Sequence, residues 1–176
     1  WGAKYDEAVL WQEGIDIVDE DVGDAMVAWR LISEEEQSYR LKWLASKHKV
    51  AQRSGKEKTS EQELKQFLKR HGAYDEATKT LYYNEAPLHV MAPYLEDDLD
   101  YTEWFYTNAL HKIQERTEVD VAEGRGELTL MQVWEQEKRV TRELFHLERH
   151  GVKINVGFVQ RHHDLTYNEY EEADAE

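Results

Sequence analysis

"LTLMQVWEQEKRVTRELFHLERHG", residues 128–151, carries the start, the apolar stripe and the stop of one helix, and its reading decides the fold class. Thr129 and Gln132 stand at capping-box spacing, in which the hydroxyl accepts from a first-turn amide and the Gln side chain reaches back to the Thr129 N–H. Leu128 before the cap and Val133 after the first turn fit a hydrophobic staple. Leu130, Val133, Val140, Leu144 and Leu147 recur on one face, so the spacing predicts an amphipathic helix from Thr129 to His150. Arg149, His150 and Gly151 then end it: cations complement the negative pole of the helix dipole, and glycine adopts the left-handed conformation that closes the last turn. The same Arg-His-Gly at 70–72 predicts a second helix stop.

The stretch also offers a metal site, because Glu143, His146 and His150 lie three and four residues apart. Di-iron carboxylate bundles need two Glu-x-x-His motifs and two further Glu, all facing inward. Only one such motif is present, and His146 lies roughly 200° from Leu144, away from the apolar stripe. A zinc protease needs His-Glu-x-x-His, whereas this chain reads His-Leu-Glu-Arg-His. Helix capping is therefore preferred to metal binding here. His162 and His163, beside Asp164, form a second candidate, but adjacent side chains diverge in an extended segment. No phosphate loop, nucleophile elbow or dinucleotide fingerprint occurs, and "GRG" at 124–126 is a flexible turn.

Outward from this helix, Ser33 with Glu36 and "SEQE" from Ser60 read as further capping boxes. The first predicts a helix from Ser33 through residue 53, and the second a short helix carrying Leu64, Phe67 and Leu68 up to Gly72. Asp24 can start "AMVAWRLI", and "KYDEAVLWQ" reads as a short opening helix. Asp100 with Glu103 predicts a helix through residue 116, with Tyr106, Leu110 and Ile113 facing the core. Residues 73–98 contain both prolines and "TLYY", and read as turn, a candidate strand and loop. Val152, Ile154, Val156 and Phe158 alternate with polar residues or glycine, which predicts a strand in need of a pairing partner. "YDEA" at 5–8 and 74–77, and "HKVAQR" against "HKIQER", hint at a faded duplication without a sustained period.

The expected fold is mainly α: an irregular bundle of about four to five helices with an extended C-terminal strand or arm and little β structure. Residues 1–23 are read as an N-terminal arm with a short helix, 24–151 as the helical body, and 152–176 as a C-terminal strand and acidic arm. Trp11, Trp29, Trp43, Trp104 and Trp134 fall within helical stretches, where most are expected in the core and some as interface anchors.

Composition narrows function by exclusion. A formal net charge of −15 repels phosphate backbones and anionic headgroups, which disfavours nucleic acid as a partner. No apolar run approaches the roughly 20 residues of a membrane-spanning helix. The chain has no cysteine, so disulfides, thiolate metal sites and cysteine nucleophiles are excluded.

Two functions fit what remains. The first is a non-catalytic accessory subunit of a larger assembly, holding no cofactor and docked on protein neighbours through aromatic surface residues and the C-terminal arm. Residue 1 is Trp, and Met occurs only at 26, 91 and 131, which suggests a processed organellar protein and a peripheral place in a mitochondrial respiratory or ATP-synthase complex. The second is a metal-dependent or His-based enzyme using Glu143, His146 and His150, or His162 and His163. For the fold, Thr129→Ala is expected to cost about 1 kcal/mol of stability, measured as a lowered urea midpoint. An unchanged midpoint would remove the cap from this position.

Overall fold

The computed structural model describes residues 1–15, 17, 22–50, 59–124, 128–151 and 153–174, and among these the chain is mainly α-helical. The helices are α1 (Ala3–Gln12), α2 (Ala25–Ile32), α3 (Leu41–Lys47), α4 (Ser60–Arg70), α5 (Leu88–Glu123), α6 (Leu130–His150) and α7 (Val156–Asp174). Two-residue strands β1 (Tyr74–Asp75) and β2 (Thr80–Leu81) pair antiparallel, with Tyr74 opposite Leu81. The chain divides into two units, Trp1–Thr141 and Arg142–Glu176.

In the first unit, α5 is the element on which α2, α3 and α4 pack. Tyr101, Phe105, Ala109 and Ile113 recur every four residues and are all buried, giving α5 one inward stripe. Ala28 and Trp29 of α2, Leu44 and Ala45 of α3, and Trp134 of α6 join the same cluster. Phe105 sits among rings, with edge contacts to Trp29 at 4.7 Å and Trp1 at 5.4 Å. A smaller cluster of Leu64, Leu68 and Ala73 packs with Val90, Met91 and Tyr94.

Asp24 joins α1 to α2. Its carboxylate accepts from Met26 N at 2.7 Å and Val27 N at 3.3 Å in the first turn of α2, and from Gly2 N at 3.3 Å and Ala3 N at 2.8 Å at the start of α1. One buried side chain thus satisfies amides at two helix N-termini, where the dipoles also favour a negative charge. Trp1 donates its indole N–H to the Tyr39 carbonyl at 3.0 Å, so the N-terminal segment is fastened to the body at both places.

Several expectations need correction. Ser33 does not start a helix; it follows the end of α2, and its hydroxyl donates to Glu36 at 3.2 Å. The Tyr39 hydroxyl donates to the Ser33 carbonyl at 2.6 Å, and together with the Trp1 bond it holds residues 33–40 as a turn, so tertiary bonds override the local capping signal. The expected helix shrinks to α3, and its end at 51–53 lies outside the described residues. The second capping box is formed by Thr59 and Gln62, one residue early, because Ser60 is taken by Asp97 of α5.

Helix α5 begins at Leu88 rather than Asp100 and passes through Pro93. Proline removes one helical bond there, but Val90, Met91 and Tyr94 bury against α4, and Asp97 caps it. "TLYY" contributes two residues to the hairpin, whose turn is shaped by Asp75 accepting from Ala77 N at 2.8 Å. The two "YDEA" copies differ, one lying in α1 and the other in β1 and its turn.

On α6 the cap stands as read: Thr129 N donates to Gln132 Oε1 at 2.9 Å, and Gln132 N to Thr129 Oγ1 at 3.3 Å. The buried face is displaced, however. Leu130, Met131 and Trp134 enter the core, whereas Val140, Leu144 and Leu147 are exposed, because the large aromatic ring sets the facing.

The expected strand at 152–158 is replaced by α7. Residues 153–155 form no strand, residue 152 lies outside the described residues, and Asn155 accepts from Phe158 N at 3.0 Å through its side chain, as a helix N-cap does. A strand without a neighbour leaves its backbone unpaired, while a helix satisfies its own.

Asp24→Ala removes two caps at once and is expected to lower stability by about 2 kcal/mol or more in urea unfolding, with Asp24→Asn intermediate. A loss no larger than that of a single surface cap would show that the α1 bonds contribute nothing.

Candidate interaction site

Each histidine singled out by the sequence has a definite place. His150 Nδ1 lies 2.8 Å from the His146 carbonyl oxygen, and Gly151 follows at φ 66°. His71 repeats this arrangement, with Nδ1 2.9 Å from the Phe67 carbonyl and Gly72 at φ 75°. A ring proton on Nδ1 makes each a donor to a carbonyl one turn back at the end of its helix, and at Phe67 the same oxygen also accepts from His71 N at 3.1 Å. The repeated Arg-His-Gly therefore ends two helices by one device. Glu143 is exposed and His146 half-buried on α6. His162 lies against Phe158 at 4.2 Å, and His163 beside Asp164 at 3.4 Å, both exposed on α7. Among the described residues no three His, Asp or Glu side chains converge as a metal site.

Charged side chains in the first unit cross-link elements. The Glu36 carboxylate is 2 % exposed and meets Lys47 Nζ, His48 Nε2 at 3.1 Å and the Ser33 hydroxyl at 3.2 Å. Burial pushes its pKa up, but the bonds from Lys47, His48 and Ser33, with the Lys47 charge, outweigh that and hold it below the usual 4.5. His48 in turn packs edge-on to Trp29 at 5.1 Å, so this cluster ties the 33–40 turn to the core. Lys42 of α3 pairs with Asp98 of α5 and lies over the rings of Tyr94 at 4.3 Å and Tyr101 at 5.2 Å. Burial and the neighbouring Asp98 charge push Tyr94 up to about 12, and burial with Asp97 does the same for Tyr101, so both remain neutral phenols at physiological pH.

A cleft of about 410 Å3 lined by Ile32, Lys112, Arg116, Leu130 and Val133 contains two cations. Arg116 pairs with Asp120 at 3.2 Å and Lys112 lies over the Trp29 ring at 5.5 Å, so both are engaged within the chain.

What the described residues leave uncovered is apolar helix surface. On α7 every residue whose exposure is described is exposed. Val156, Val159, His163, Tyr167 and Tyr170 fall within about 100° of one another around its axis. Trp11 of α1 is 42 % exposed, while Trp29 and Trp134 are buried and Trp43 and Trp104 pack partly buried on the core. The Asn155 cap was readable in the sequence, but the alternation at 152–158 concealed it.

Comparison of the chain with protein-family models, with curated proteins and with solved structures gives no match in any of the three. No helix among the described residues is long and apolar enough to cross a membrane.

A carboxylate whose folded pKa is depressed contributes stability that is present above the unfolded value and is lost as pH falls through the folded one. Glu36 is thus expected to stabilise the chain fully above pH 4.5, with that contribution fading as pH drops further. Glu36→Gln should flatten this part of the stability–pH curve, read from urea midpoints across the acid range. Superimposable curves for the two proteins would contradict the assignment.

Proposed function

We propose that the chain is a non-catalytic interaction subunit that docks on a protein neighbour through α7. The observation that supports this reading is the exposure of α7: a helix of 19 residues in which no residue of described exposure is buried. Helices in proteins draw their stability mainly from packing an apolar face. Val156, Val159, Tyr167 and Tyr170 provide such a face, with two tyrosines of the kind that anchor interfaces. Leu144 and Leu147, on the last turns of α6, are further exposed apolar side chains of the second unit. Helix-in-groove docking takes the place of the strand addition that the alternation at 152–158 suggested.

The test uses the full-length chain in cells that naturally contain it. Native electrophoresis should show the tagged protein in a high-mass band, and Val159→Glu with Tyr167→Glu should move it to the position of the free chain. Hydrogen exchange on the purified chain should show α7 amides exchanging far faster than the core of α5, with protection regained in the assembly. Migration of the unaltered protein as a free chain, or full protection of α7 in isolation, would sink the proposal. The narrower placement in a mitochondrial respiratory or ATP-synthase complex is tested by whether that band fractionates with mitochondrial membranes.

A further inference from the structure

The N-terminal part of α5, in the first unit, carries a second uncovered stretch of apolar side chains. Leu88, Ala92, Leu95 and Leu99 follow one another at spacings of four, three and four, the repeat of a coiled-coil seam. Leu88 is 77 % exposed, Leu95 48 % and Leu99 69 %, and they run over roughly 16 Å of helix. A single exposed leucine is ordinary, but three in one knob-forming register on a helix otherwise fixed by its neighbours form a preformed half-interface.

Charge indicates what covers it. On one flank stand Glu96, Asp100 and Glu103, all exposed, and among the described residues none has an ion-pair partner. Asp98, on the other flank, is neutralised by Lys42. A second copy would bring another chain of net charge −15 against three exposed carboxylates, which disfavours self-association. We infer that Leu88, Leu95 and Leu99 of α5, flanked by Glu96 and Glu103, receive an amphipathic helix of a partner protein whose apolar seam is bordered by Lys or Arg. The partner's leucine-type knobs pack between the α5 leucines, and its cations meet the carboxylates at the positions where coiled coils choose partners. This rests on the reading of the chain as an interaction subunit, but on a surface independent of α7.

The probe is a synthetic peptide of about three heptads with Leu at the seam and Lys on both flanks, beside one with Glu flanks and one with Lys flanks but Ser at the seam. Fluorescence anisotropy with the full-length chain should show saturable binding of the Leu–Lys peptide alone. Leu95→Glu with Leu99→Glu should weaken it at least about tenfold while leaving circular dichroism unchanged, since both side chains are already in solvent. Glu96→Lys with Glu103→Lys should transfer the preference to the Glu-flanked peptide, and the α7 variant Val159→Glu with Tyr167→Glu should bind like the unaltered chain. The inference is overturned by absence of binding, by equal binding of the Ser peptide, or by binding insensitive to the leucine substitutions. Sedimentation showing a dimer that Leu95→Glu with Leu99→Glu dissolves would equally overturn it, by making the occupant a second copy. None of these results touches the α7 proposal, whose own test reads assembly through different residues.

Discussion

The burial of Phe105 is the constraint on which the first unit depends. Charged residues make up 34 % of the chain, so apolar side chains are scarce and must be concentrated. Phe105 is fully buried on the inward stripe of α5, and the rings of Trp1, Trp29, His48 and Trp104 meet it from the N-terminus, from α2, from the end of α3 and from its own helix. Ala28, Ala45 and Ala109 are each 0 % exposed, and their small side chains let backbones approach while the rings fill the space between. Three segments distant in sequence converge on one ring, which is how this long helix organises the rest of the unit.

Around that ring the acidic residues divide into two sets. Asp24, Glu36, Asp97 and Asp98 are spent inside the fold: the first caps two helices, the second gathers Lys47, His48 and Ser33, the third caps α4, and the fourth pairs with Lys42. Each places negative charge where amides or cations await it, so these side chains add cohesion instead of repulsion. Glu96, Asp100 and Glu103 lie within a few residues of Asp97 and Asp98 on the same helix, yet point to solvent. Facing alone separates the two roles, and sequence proximity says nothing about it.

That distinction also explains what could be read from the sequence. Helix stops, the Thr129 cap and the overall helical character rest on local chemistry, and the backbone groups involved lie within four residues of the side chains that serve them. Ser33 shows where local reading ends. Its spacing to Glu36 is that of a capping box and the two side chains do bond, but Trp1, Tyr39, Lys47 and His48 decide that the bond closes a turn. Pro93 misled in the opposite sense, because the contacts of Val90, Met91 and Tyr94 with α4 outweigh one missing helical bond. A reading of that region as turn, strand and loop offers the Leu88–Leu99 seam no helix on which to appear. On α6 the aliphatic stripe is visible in the sequence, but the aromatic residues are the buried ones, Trp134 in the first unit and Phe145 in the second, while Leu144 and Leu147 are exposed. Of the candidate site residues, the positions of His71 and His150 were legible because capping is local, whereas the α7 face was hidden by a run of four alternating residues that fits a strand equally well.

The remaining surfaces share a physical logic. An apolar face left in water has an unfavourable hydration free energy, which a partner that covers it removes. In the first unit the exposed seam lies on a helix already anchored by Phe105 and Asp97, so a partner there meets a surface whose ordering entropy has been met by folding. On α7 no residue of described exposure is buried, so a partner docking there as proposed would also have to supply stability to the helix itself. Binding at the two proposed faces would therefore differ in kind: affinity at α5 would follow from complementarity to a fixed leucine register and its carboxylate flank, whereas at α7 part of the interaction free energy would be consumed in holding the helix. The seam on α5 is thus a surface whose backbone the fold already fixes, whereas α7 exposes every side chain whose exposure is described, and the same apolar chemistry carries a different ordering cost at each.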